Sequence, residues 1–414
     1  MNLYLFNAND SAATFGIGTY IKELTNALKG IGIHIHIVHL HYACTKFEIV
    51  KKSDVENWYI PEVRNDNTFS GSVQKAEDYY RNVIYILRLN IKDTKNLIFH
   101  FNYNQCFALA KGLKEVFECK TVTTAHYFNW TFDFLGNISQ LHELKAKLEK
   151  QRSSYEKLLL STYEYENLLY KETDRIITLS LDMKNLFYSE YQLNPEKISV
   201  IPNGLEDVNI SMKTNRNILR QKWHISGNEF IVLFAGRFHK MKGLIFLIKA
   251  FNKVLEKEQN CRLIIAGNGN YDVFFRECKG ICTKVTFTGL LKKDELYELY
   301  QIADVGVMPS LYEPFGYVAV EMMMHVLPVV VTATSGLNEV VDDKCGLKIP
   351  LTKQSDKVEI NTDLLAEKIL YLLKHPAEAK KMGQNGRKRY LKEYSSKVFR
   401  KNMLNFYNSL FDSK

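Results

Sequence analysis

Nothing in these 414 residues approaches the roughly 18 consecutive apolar residues that a membrane-spanning helix needs, so the sequence offers no candidate span. The opening residues, Met-Asn-Leu-Tyr-Leu-Phe-Asn, lack the basic start and long apolar core of a secretory signal and read as a first strand. Cysteine is sparse and odd in number, seven in all, which argues against a disulfide framework. Only Cys278 and Cys282 lie close together, and no second pair completes a zinc site. Buried or idle thiols in a reducing, cytoplasmic compartment are the expectation. A sequon such as Asn129-Trp130-Thr131 then carries no meaning for glycosylation. Short repeats and low-complexity segments are also missing, which excludes a solenoid or a repeat array.

Charge of one sign is in excess, but only locally. The formal net charge is +9, yet residues 1–205 hold 23 basic and 23 acidic side chains. Residues 380–414 hold 10 basic and 2 acidic ones and account for most of the excess. A solvated basic helix face explains this, and peripheral contact with an anionic membrane is the second reading. No recognised nucleic-acid motif accompanies the charge, so no nucleic-acid partner is expected.

What is present is the composition of a soluble globular protein, 46% hydrophobic and 24% charged, long enough for two domains. Short apolar strands alternate with helical stretches, the pattern of α/β proteins with parallel sheets. Strands are expected at 3–6, 34–39, 97–100, 121–124, 175–178 and 197–200, with a first helix at 19–29 and a long polar helix near 141–171. The pattern restarts with strands at 230–235, 262–266, 284–288, 305–308 and 329–332. Ile201-Pro202-Asn203-Gly204 and the polar stretch through Lys213-Thr214-Asn215 mark the break between halves. Two Rossmann-like domains facing across a cleft are expected, over 1–203 and 204–395, followed by a last helix near 396–411.

Two glutamates with seven residues between them sit in the most distinctive segment, 309–321, which reads Pro-Ser-Leu-Tyr-Glu-Pro-Phe-Gly-Tyr-Val-Ala-Val-Glu. The prolines and Gly316 make its first half a loop, and its second half starts a helix. A helix N-terminus presents free N–H groups and a partial positive charge, and so can hold an anion or a polar sugar. Glu313 on the loop and Glu321 in the helix are acceptor-only groups suited to a ligand with several hydroxyls.

A second segment, Phe234-Ala235-Gly236-Arg237-Phe238-His239-Lys240-Met241-Lys242-Gly243, ends a strand and precedes a helix. Arg237 can fork two phosphate oxygens and Lys242 adds a point charge, although a pair of solvated strand-end bases would look the same. In the first half, Phe15-Gly16-Ile17-Gly18-Thr19 has small residues where a backbone could approach a phosphate or a sugar. As a dinucleotide fingerprint it fails for want of a third glycine. His126 closes the strand Thr123-Thr124-Ala125, a position at which a lone histidine is more often structural than functional. His34, His36, His39 and His41 alternate with apolar residues as a strand does, with no interleaved carboxylate, and are not read as a metal site.

In order along nearly the whole chain, these segments resemble the retaining GT-B glycosyltransferases of family 4 (glycosyl transferases group 1). Glu313 and Glu321 match the E-x7-E signature, and residues 236–243 match the family's Gly-Arg-x4-Lys-Gly segment. The resemblance implies that Arg237 and Lys242 bind the diphosphate of a nucleotide sugar, that Glu313 takes a sugar hydroxyl and that Glu321 takes the ribose hydroxyls. It implies that His126 contacts the transferred sugar and that the nucleobase packs on backbone near Leu291. Phe315, Gly316, Tyr317 and Val318 would line the donor at the helix start, with Gly16 and Gly18 opposite. Family members usually carry adjacent glycines in that last loop; here Phe15 takes the first place.

The implied activity is transfer of a sugar from a nucleotide diphosphate sugar to an acceptor hydroxyl with the anomeric configuration retained; because Arg237 and Lys242 could neutralise the leaving diphosphate, no metal or cofactor is expected. The acceptor would be a glycan, a lipid-linked molecule or a peptide, and the last helix would pack back on the first domain. A GT-B phosphorylase or epimerase, a silent nucleotide-sugar-binding protein and a nicotinamide-dependent oxidoreductase are the competing readings. The missing third glycine counts against the last of these.

Overall fold

The computed structural model describes residues 1–8, 16–62, 73–208, 215–354 and 357–412. Phe15 and residues 213–214 of the interdomain stretch therefore lie outside the described residues. The chain divides into two compact units. One comprises Met1–Trp130, Leu144–Gly204 and Ser396–Lys414; the other comprises Thr131–Glu143 and Leu205–Ser395.

The first unit is built on eight strands: β1 (Asn2–Ala8), β2 (His34–Tyr42), β3 (Glu48–Lys52), β4 (Val55–Pro61), β5 (Leu97–Phe101), β6 (Lys120–Ala125), β7 (Arg175–Thr178) and β8 (Ile198–Val200). Their order across the sheet is β3-β4-β2-β1-β5-β6-β7-β8, parallel throughout except for the antiparallel β3–β4 pair at one edge. Both faces of the central strands are covered. One face packs against residues such as Tyr80, Val83 and Leu109, and the other against Tyr20, Leu24, Phe399 and Met403. That is why β5, Leu-Ile-Phe-His-Phe, is buried at every position. The helix Ser396–Ser409 belongs to this unit and buries Phe399, Met403, Phe406 and Tyr407.

The second unit holds β9 (Phe230–Ala235), β10 (Cys261–Ala266), β11 (Val285–Gly289), β12 (Val305–Met308), β13 (Val329–Thr332) and β14 (Gly346–Ile349), all parallel, in the order β11-β10-β9-β12-β13-β14. A small antiparallel pair, β15 (Leu351–Lys353) and β16 (Val358–Ile360), follows. β12, Val-Gly-Val-Met, and β13, Val-Val-Val-Thr, are buried at every position, and each valine contributes about 1.5–3 kcal/mol by leaving water.

One reading of the sequence is corrected here. The long helix expected near 141–171 is broken into helices Ile138–Ala146 and Ser154–Glu172 with a 3-10 turn, Glu149–Gln151, between them. A capping box starts the second helix. The Glu156 N–H donates to Ser153 Oγ at 3.2 Å, and the Ser153 N–H donates to Glu156 at 2.8 Å. The Ser-x-x-Glu signal was there to be read, and it outweighs continued helical propensity because it satisfies two otherwise orphaned N–H groups. The histidine run lies along β2, as its alternation indicates. A carboxylate does reach it, from the neighbouring strand: Glu56 lies 2.9 Å from His36 Nδ1, and the Tyr4 ring stacks on that imidazole at 4.1 Å. No group of three metal-capable side chains forms among the described residues.

Candidate functional site

Counted from β9, the second sheet has the strand order 3-2-1-4-5-6 of a doubly wound nucleotide-binding fold. In such sheets ligands bind beyond the carboxyl ends of the strands, where the order reverses. The reversal here falls between β9 and β12. The loop after β9 carries Arg237 and Lys242, and the loop after β12 carries Glu313.

The two loops are joined by backbone contacts. The Leu311 N–H donates to Met241 O at 2.7 Å. Gly243 has φ +61°, and a Cβ there would stand 1.8 Å from Pro309 O, so only glycine lets the loops approach this closely. Side chains fix the rest. Thr334 Oγ1 donates to Leu311 O at 3.1 Å, Thr332 Oγ1 donates to Ser310 O, and the Leu337 N–H donates to Glu313 O at 3.3 Å.

Lys242 Nζ reaches Glu313 Oε2 at 2.5 Å, and Ser310 Oγ approaches the same oxygen at 3.3 Å. The pair is largely sheltered, with the lysine side chain 24% and the glutamate side chain 12% exposed. Arg237 is half-buried on the same loop. His239 between them registers the cationic surroundings. Burial first, and then the Arg237, Lys240 and Lys242 charges, hold its pKa below the usual imidazole value. The loop after β10 closes against this one through a Phe238 N–H bond to Asn268 O at 2.7 Å.

Gly316 has φ +103° and forms the N-cap of helix Tyr317–Met324, whose fifth residue is Glu321. Phe315 and Gly316 are buried, while Tyr317 and Val318 are half-buried. The Glu321 side chain is 3% exposed; Tyr300 OH donates to its Oε2 at 2.9 Å, and Lys293 pairs with its Oε1. Sequence reasoning missed both partners, because nothing in Lys292-Lys293 sets it apart from other surface lysines. Leu291, half-buried after β11, precedes the helix Lys293–Ile302 that delivers Lys293 and Tyr300.

In the first unit the strand order reverses between β1 and β5. Gly16 and Gly18 fall inside helix Gly16–Leu28 rather than in a loop before it. Gly16 is exposed, with open space where a Cβ would stand, so no close contact demands a glycine there. His126 follows β6. Its Nε2 lies 3.2 Å from Asn102 Oδ1, and Tyr20 meets the ring edge-on at 4.7 Å. Asn102 Nδ2 donates to Phe6 O, so its Oδ1 is the acceptor, the His126 proton sits on Nε2, and Nδ1 is left as an acceptor. Burial pushes the pKa of His126 down to about 3, which keeps the imidazole neutral.

The structure thus brings Arg237, Lys242, Glu313 and the 315–318 helix start together at one switch point of the second unit. It places Glu321 and Leu291 in that same unit, and His126 and the two glycines in the first unit. No helix among the described residues is long and apolar enough to cross a membrane.

Comparison with known proteins covers both units. Residues 15–207 match the family model described as Glycosyltransferase Family 4, and residues 215–389 match Glycosyl transferases group 1. An uncharacterized glycosyltransferase, MJ1607, of Methanocaldococcus jannaschii is 37% identical over 189 residues, which are 44% of this chain and 46% of that protein. The chain spans about half the length of the curated relatives it first matches. Among solved structures, sucrose-phosphate synthase from Thermosynechococcus elongatus superposes with a TM-score of 0.76 at 20% identity, covering 100% of both chains. Anabaena Alr3699/HepE, solved in complex with UDP, superposes with a TM-score of 0.70 at 15% identity over 99% of each chain. At these identities the likeness establishes the fold, GT-B.

Proposed function

The chain belongs to the family 4, group 1 glycosyltransferases, and from that premise we propose that it moves a sugar from a nucleotide diphosphate sugar to an acceptor hydroxyl with retention at the anomeric carbon. The observation that carries the reading is the Lys242–Glu313 pair, set beside Arg237 where the strand order of the second unit reverses. A cationic loop and a helix N-terminus at one carboxyl edge are suited to a diphosphate. The UDP complex of a neighbour with the same fold supports that ligand class.

In this reading the diphosphate departs from the face that the acceptor attacks, and one of its oxygens takes the acceptor proton. Arg237 and Lys242 stabilise the departing negative charge, which is electrostatic catalysis by preorganised groups. Glu313 binds a sugar hydroxyl rather than forming a covalent intermediate, since its carboxylate is already engaged by Lys242 and Ser310. Glu321 binds the ribose hydroxyls; each carboxylate oxygen retains a lone pair beyond those used by Lys293 and Tyr300. Neutral His126 offers Nδ1 to a hydroxyl of the transferred sugar. Phe315, Tyr317 and Val318 line the donor, Leu291 lies by its base, and no metal is assigned. The acceptor is a glycan, a lipid-linked molecule or a peptide of glycan assembly in the cytoplasm.

Thermal unfolding against UDP-, GDP-, ADP- and TDP-sugars, with NAD and NADP as controls, tests the donor class. A ligand at a hundred times its Kd adds about 2.7 kcal/mol of stability. Stabilisation by a nicotinamide cofactor alone would overturn the reading. Phosphate-dependent donor cleavage, or sugar interconversion without an acceptor, would favour a phosphorylase or an epimerase.

A further inference from the structure

Glu166, on helix Ser154–Glu172, is fully buried in the first unit. Among the described residues no cation pairs with it. Its bonds are three neutral donors. The Asn129 N–H and Asn104 Nδ2 each reach Oε1 at 3.0 Å, and Tyr191 OH reaches Oε2 at 3.1 Å. Asn104 follows β5, and its Nδ2 also donates to Tyr127 O at 2.9 Å. One carboxylate therefore holds the chain on both sides of residue 128, in the segment that begins with His126. A carboxylate buried without a counter-ion costs several kcal/mol in principle, and hydrogen bonds to uncharged donors recover only part of it. An amide or an apolar residue would fill the space more cheaply if packing were its whole role.

We propose that Glu166 is the positioning residue of the His126 segment, its carboxylate clamping residues 127–129 through Asn104 and Asn129 and relaxing that hold when it is protonated. The inference rests on the reading of His126 as a sugar contact. Burial is the first cause that raises the Glu166 pKa, to about 7, against the lowering effect of its three donors. The other titratable groups around it are Tyr163 on its own helix, Tyr170 one turn further on, and Tyr191 from helix Leu181–Tyr191. Beyond Tyr163 lie Lys145 and Glu190, paired with each other at 3.2 Å. Burial raises the pKa of Tyr163 and of Tyr191, so neither competes near neutrality. Above pH 7 the ionised carboxylate accepts all three bonds. Below it, the added proton weakens one oxygen as an acceptor, and the segment loosens.

The test is hydrogen–deuterium exchange of the peptide spanning 126–130 at pH 6 and pH 8, corrected for the intrinsic pH dependence of exchange. It compares the wild type, Glu166→Gln and Asn104→Ala. Protection in the wild type should fall about tenfold at pH 6, the scale of one charge-assisted hydrogen bond, while Glu166→Gln should show the same protection at both values. UDP release from UDP-glucose, followed over the same range, should show an acid limb near pH 7 that Glu166→Gln removes. His126, with its pKa near 3, cannot supply that limb. Wild-type protection that does not change with pH, or a Glu166→Gln protein that keeps the wild-type pH dependence, overturns the clamp. A pH-dependent clamp in a protein that NAD or NADP stabilises against unfolding and no nucleotide sugar does supports the clamp and overturns only the glycosyl-transfer reading.

Discussion

Removing either partner of the Lys242–Glu313 pair should move nucleotide binding in opposite directions. In the ligand-free protein Glu313 sits 2.5 Å from the lysine and neutralises a charge that a diphosphate would otherwise meet. Partly exposed pairs of this kind contribute about 1 kcal/mol after solvent screening. Glu313→Gln keeps the shape and removes the competing charge, so UDP should bind about fivefold more tightly, the affinity equivalent of that energy. Transfer should nonetheless slow, because the same carboxylate is assigned to a sugar hydroxyl that UDP lacks. Lys242→Ala does the reverse to binding: it strands Glu313 in a sheltered site and deletes a cation beside the diphosphate. UDP affinity should fall, and turnover should drop about 10²–10³-fold, the scale of one preorganised charge partner. Isothermal titration with UDP and steady-state kinetics with a nucleotide sugar read both quantities. If Glu313→Gln weakens UDP binding as Lys242→Ala does, the carboxylate is a positive determinant of the nucleotide site and does not compete with the diphosphate for Lys242.

Glu321→Ala should raise the donor KM before it touches kcat, and Lys293→Met should mimic it in part, since Lys293 pairs with that carboxylate; an unchanged donor KM in Glu321→Ala would remove the ribose assignment. Gly243→Ala puts a methyl group 1.8 Å from Pro309 O at a positive φ, and should cost at least about 2 kcal/mol by calorimetry; a wild-type Tm would mean that the two loops are not in contact. Glu166 has a folded pKa of about 7, above the usual glutamate value, so its contribution to stability is full below about pH 4.5 and is lost as pH rises through 7. Glu166→Gln should therefore gain on the wild type by up to about 3 kcal/mol between pH 4.5 and 8, measured by denaturant unfolding; a constant difference across that range would show that the carboxylate is not buried as described.

The central strands were readable because parallel sheets covered on both faces need continuous apolar runs, and Phe-Ile-Val-Leu-Phe-Ala at β9 or Val-Val-Val-Thr at β13 has few other uses. The edges were not. β3 reads Glu-Ile-Val-Lys-Lys and is largely exposed, so its half-polar pattern gave no contrast with a loop. β14 begins at a glycine, Gly346, whose place in the sheet depends on Val329 and Val341 crowding it, a tertiary fact that no local window contains. The break in the long polar helix failed for a different reason. The Ser153–Glu156 box lies inside a stretch of good helix formers, and propensity alone reads through it.

The site divides along the same line. Arg237, Lys242, Glu313 and Glu321 declare themselves because each lies in a dense local pattern of glycine, proline and charge at a strand–loop–helix junction. Lys293, Tyr300 and Glu166 do not, because what matters about them is a partner far away in sequence: Glu321 for the first two, and Asn104, Asn129 and Tyr191 for the third. A buried carboxylate cannot be told from a surface one by its neighbours along a helix, and Glu166 follows Glu164 in a segment that looks solvated. Only burial separates them. Burial is also what gives Glu166 a consequence, because the same desolvation that hides it from sequence reasoning moves its titration toward neutral pH, where the protein can respond to it. Groups proposed to bind ligand are thus legible from local pattern. Groups proposed to hold them in place are visible only from the folded chain, and it is their pH dependence that would distinguish positioning from packing.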